Sequence, residues 1–150
     1  MRLLNALAGG FAGAIALNLL HETVRKLDTK APRIDLLGEE ALNETLNSFN
    51  AEPLTGNSLY LATLTGDVIS NGLYYSLIGL GKEKNLWLKG ASLGVAAGFG
   101  AIEIPKTVGL NDEPVTKTNR TKILTIAWYL IGGLVAAAVI DKLQKTNKLL

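Results

Sequence analysis

From Leu59 to Gly81 the chain carries one charged residue, Asp67, and an amide, Asn71, follows one helical turn later. On a helix of 3.6 residues per turn, Tyr60, Thr63, Asp67, Asn71 and Tyr74 fall on one narrow stripe, with Ser70 at its edge. A carboxylate in an apolar segment costs about 2.5–3.5 kcal/mol to insert into a bilayer, so it is expected to face the bundle or a wet cavity. Depth selects its companions. Asn18, His21 and Glu22 lie near the end of the first apolar block, and Glu103 lies at the corresponding end of the third. The candidate ligand-binding set is therefore Asp67, Asn71, Tyr74, Asn18, His21, Glu22 and Glu103, with hydrogen bonding around an intramembrane carboxyl group as its chemistry.

Catalytic signatures are missing. The sequence has no G-x-S-x-G elbow, no phosphate loop and no nicotinamide fingerprint. The pair His21–Glu22 lacks the second histidine of a zinc protease, and the chain has one His and no Cys. No catalytic residue, metal ligand or cofactor is expected, and an enzyme is the less favoured reading. A net charge of +2, with basic residues scattered, argues against a nucleic-acid partner.

The elements that must position these residues are apolar helices. Of 150 residues, 48% are hydrophobic and 19% charged, and the apolar ones are gathered in blocks. Mean hydropathy is +0.25. About 20 apolar residues cross a hydrocarbon core, and only helices satisfy their own backbone groups there. The expected fold is all-α: a polytopic four-helix transmembrane bundle forming one domain over 1–150, with helices near 3–27, 58–81, 86–104 and 121–143. The third block is the shortest. The first block, with Arg2 ahead of it, is longer than a signal-peptide core and is read as a retained helix.

The long connection should hold an amphipathic loop helix near 35–50, with Asp35 as N-cap and Pro53 and Gly56 as stops. It would fold back on the bundle or lie at the interface as a lid. The short linker GKEKN predicts that the second and third blocks form a tight antiparallel pair.

The glycines Gly9 and Gly13, and the tandem set Gly90, Gly94 and Gly98, recur every four residues (GxxxG) and predict close helix packing. Setting Gly9, Gly13 and Glu22 over Gly90, Gly94 and Glu103 suggests two duplicated helical hairpins.

Through HETVRKLDTKAPRIDLLGEEAL and GDVISNGLYYSLIG, the chain resembles small four-helix integral membrane proteins of bacteria whose chemistry is not known. The resemblance implies the inner (cytoplasmic) membrane, multi-pass, and transfers no active site. Lysines near helix ends orient both termini towards the cytoplasm. Two functions are in play. One is a membrane scaffold or assembly subunit packing through its glycine faces, with a homo-oligomer or a membrane protein as partner. The other is a small carrier, channel or module binding lipid or a hydrophobic ligand around Asp67.

Overall fold

The computed structural model describes residues 2–81 and 85–149, and these are all-helical, without strands. Four long helices, α1 (Arg2–Val24), α3 (Gly56–Ser76), α4 (Leu86–Thr107) and α6 (Asn119–Leu149), build the body. Two shorter ones, α2 (Ile34–Ser48) and α5 (Glu113–Thr116), lie in the connections. α5, a single turn opened by Pro114, was not anticipated. Of the four long helices, α1 and α6 are each long and apolar enough to cross a membrane on their own. α3 and α4 fall short of that measure, because Asp67, Ser70 and Asn71 dilute one and its glycines, Lys89 and Glu103 dilute the other.

Glycine decides how the helices meet. The buried face of α4 is Leu86, Gly90, Gly94, Gly98, Ile102 and Pro105, a repeat of about four that lies against α6. A Cβ at Gly94 would stand 2.7 Å from the Tyr129 carbonyl oxygen, and one at Gly98 would stand 2.6 Å from Ile126 Cα. On α1, Gly9 and Gly13 are placed against Ile140, Ala136 and Gly132 of α6, while Gly10 meets Gly72 and Ser76 of α3. Without side chains the backbones approach closely, and dispersion contacts replace what lipid or water would offer. Around these seams sits a core of Leu17, Tyr75, Ile78, Trp128, Tyr129 and Ile140.

The resulting order across the bundle is α3, α1, α6, α4, and the two outer helices scarcely touch. The tight pairing of the second and third blocks is therefore not found. Both helices pack on central partners, and the 3₁₀ turn Leu77–Gly79 with Gly81 in the left-handed region (φ +86°) carries the chain across. A closed two-fold arrangement of duplicated hairpins would need α3 to pack on α4 as α1 packs on α6. Between α3 and α4 there is a cleft instead. Two of the lysines near helix ends that bear on orientation, Lys82 and Lys84, lie outside the described residues.

The connection helix starts one residue earlier than anticipated. Arg33 occupies the N-cap position without a capping side chain, and Asp35 sits in the first turn. Its stop is Asn50, in the left-handed region at φ +56°. There Asn50 N–H donates to the Asn47 carbonyl at 2.9 Å and Ala51 N–H to the Leu46 carbonyl at 2.9 Å, which closes the last turn before Pro53 is reached. Asn43 then fixes the way out: its amide donates to the Leu54 carbonyl at 3.1 Å and accepts from Leu54 N–H at 2.9 Å. α2 is thereby held against α3, over one end of the cleft.

Candidate functional site

A cleft of about 930 Å³ opens between α1, α2, α3 and α4. Its two walls differ in chemistry. α1 contributes Asn18, His21 and Glu22, and α3 contributes Tyr60, Thr63, Asp67, Ser70, Asn71 and Tyr74. Across from them, Leu37 and Leu42 of α2 and Ala97, Ala101 and Ile104 of α4 form an apolar wall. Gly66 and Ser70 on one rim, and Ala96, Ile104 and Val108 on the other, are exposed, so the cleft also opens sideways between α3 and α4.

At its back, Asp67 joins two helices. Asn18 donates to Asp67 Oδ2 at 2.7 Å, and Asn71 donates to Asp67 Oδ1 at 2.8 Å. The second N–H of each amide is also placed: Asn18 donates to the Ala14 carbonyl at 3.0 Å, and Asn71 to the Asp67 carbonyl at 3.1 Å. Tyr74 reaches over to α4, where its hydroxyl donates to the Leu93 carbonyl at 3.0 Å. Beside it Tyr75, fully buried over Gly132, donates to the Tyr129 carbonyl at 2.8 Å.

The end of the cleft beneath α2 is ionic. Arg25 donates to Glu22 at 2.7 Å and to Asp35 at 3.0 Å, and Arg33 donates to Asp35 at 2.6 Å. Arg25 also lies 5.8 Å from the centre of the Tyr60 ring. His21 is buried, its ring 5.7 Å from that of Trp128. Its Nε2 stands 3.3 Å from Asp35 Oδ1, within ion-pair distance, but the ring is not aligned for a hydrogen bond. Burial pushes the Asp35 carboxyl up; the His21 contact, the Arg33 hydrogen bonds and the Arg33 charge outweigh it and hold the carboxyl well below the usual carboxylate range.

Six of the seven candidate residues therefore line one cleft. Glu103 does not: it is exposed on the far side of α4. The face of α4 turned to the cleft runs through Ala97, Ala101 and Ile104, and two residues beyond Ala101 is about 200° further around the helix. Asp35, Arg33 and Trp128 were not among the candidates. Asp35 carried a signal, as a lone acid at a helix start, but that signal pointed to capping. It does not cap, because the helix starts at Ile34 and leaves Asp35 inside the first turn, where its oxygens are engaged by Arg25 and Arg33. Trp128 and the alanines of α4 offered no chemical signal.

No protein-family profile, curated protein or solved structure matches this chain.

Proposed function

We propose that this is a four-span integral membrane protein that holds an amphiphilic ligand in the cleft, with the ligand's polar end at Asn18, Asp67 and Asn71. The observation that carries the reading is the division of the cleft into a hydrogen-bonding wall and an apolar wall, open sideways between α3 and α4. A volume of about 930 Å³ suits a small ligand with a hydrophobic body.

Support for four spans comes from the exterior. α3 and α4 have 21 and 22 residues, about 30 Å at 1.5 Å per residue, the thickness of a hydrocarbon core. All four long helices expose large apolar side chains, among them Leu19, Ile69, Leu73, Leu88, Phe99 and Ile131. In water, so extensive an apolar surface would drive association. The glycine faces that motivate the scaffold reading are occupied within the chain, which favours the ligand-binding reading over it.

Two measurements test this. The chain lacks Cys, so single cysteines report topology directly. With four spans, cysteines at Thr29, Glu52 and Glu113 label from one side of a sealed vesicle, and those at Asn85 and Lys145 label from the other. Labelling of all five from one side would remove the bundle from the bilayer. For the ligand, native mass spectrometry of protein released from nanodiscs should retain a bound amphiphile. Ala101→Trp, which fills the apolar wall, should lose it, while Phe99→Trp on the exterior keeps it. Equal retention by both variants would place the lipid outside the cleft.

A further inference from the structure

We infer that the ligand's polar end is a protonated amine, an inference that rests on the amphiphile-binding reading above. Both N–H groups of Asn18 are engaged, one by Asp67 and one by the Ala14 carbonyl. Both N–H groups of Asn71 are engaged by Asp67, one at its side chain and one at its carbonyl. Neither amide can be turned over, since each would then set an oxygen against two oxygens. What the cluster has left is acceptor capacity only: two amide oxygens and the remaining lone pairs of the carboxylate.

Charge gives the same sign. Among the described residues Asp67 has no ion pair; two neutral amides are its partners. A carboxylate removed from water without a countercharge is costly. The cations nearest the cleft are committed elsewhere, Arg25 to Glu22 and Asp35, and Arg33 to Asp35. The ionisable groups on the cleft's wall are His21 and Glu22 of α1, Asp35 of α2, Tyr60, Asp67 and Tyr74 of α3, and Tyr129 of α6; α4 contributes none. An ammonium brings up to three donors and one positive charge to the Asn18–Asp67–Asn71 cluster, which has neither to spare; the buried, unpartnered hydroxyl of Thr63 beside it can accept from the ammonium as well as donate. A carboxylate or phosphate end would meet acceptors and a like charge.

The test uses the full chain in nanodiscs of zwitterionic lipid and follows thermal unfolding through tryptophan emission. The probes share a twelve-carbon chain and differ at the end: dodecylamine, dodecanol and dodecanoate. The amine is expected to raise the Tm and to half-saturate at about tenfold lower concentration than the alcohol, as one charge-assisted hydrogen bond implies. Dodecanoate should give no shift. In Asp67→Asn the preference for the amine over the alcohol should vanish while alcohol binding persists. Equal shifts from all three probes, or preference for dodecanoate, would overturn the amine assignment and leave the amphiphile reading standing. No shift from any probe would overturn both. Stabilisation by sodium or potassium chloride over choline chloride, without amphiphile, would assign the acceptors to a metal cation and overturn the amine.

Discussion

Asn18 and Asp67 meet at 2.7 Å although 49 positions separate them in the chain. This contact ties α1 to α3 at the back of the cleft, and it sets both the register of the two helices and the polarity of the site. Removing the donor should therefore cost stability. Asn18→Leu leaves Asp67 Oδ2 without its partner, and a loss of about 1–2 kcal/mol is expected. Reversible unfolding in mixed micelles reads it; an unchanged transition would show that the contact fixes nothing.

The glycines give a paired prediction. A side chain at Gly90 would begin 2.5 Å from the Gly133 carbonyl oxygen and 2.8 Å from Ala137 Cβ. Gly90→Leu must then part α4 from α6, at about 2–3 kcal/mol. Gly66, in the middle of α3, has nothing within 4 Å of an added Cβ. Gly66→Ala should stabilise the protein by about 0.5–1 kcal/mol through its helix preference. The two variants should move Tm in opposite directions.

Asp35 makes stability acid-sensitive. Its folded-state pKa lies below the ordinary 3.8, so its contribution is complete above that value and is lost as pH falls through the folded one. Wild-type protein should therefore lose stability below about pH 4 more steeply than Asp35→Asn, whose transition lacks this component. Parallel curves for the two proteins would separate Asp35 from the acid response.

Glu103 serves as the control. Exposed and outside the cleft, it should tolerate Glu103→Gln within about 0.5 kcal/mol and leave amphiphile retention unchanged. Loss of retention in that variant would return Glu103 to the site.

What the sequence determined by itself was local. Apolar runs and their period placed four long helices and a connection helix. The stripe from Tyr60 to Tyr74 followed from helical geometry alone, and all six of its members line the cleft. Glycines every fourth residue announced close approach, since a missing Cβ on one face lets a neighbouring backbone come near.

Only the tertiary structure decided which faces meet. Gly90, Gly94 and Gly98 turn α4 towards α6, and that rotation carries Glu103 out of the site that its depth in the sequence suggested. The same choice of partners keeps α4 away from α3 and leaves the cleft between them. Asp35 changed its role for a related reason. A cap needs backbone N–H groups two or three residues on, but Asp35 lies inside the first turn, where its carboxylate is claimed by its near neighbour Arg33 and by Arg25, which the connection around Pro32 folds back to it. Periodicity fixes which residues share a face of one helix; which helix that face meets is settled by packing between distant segments.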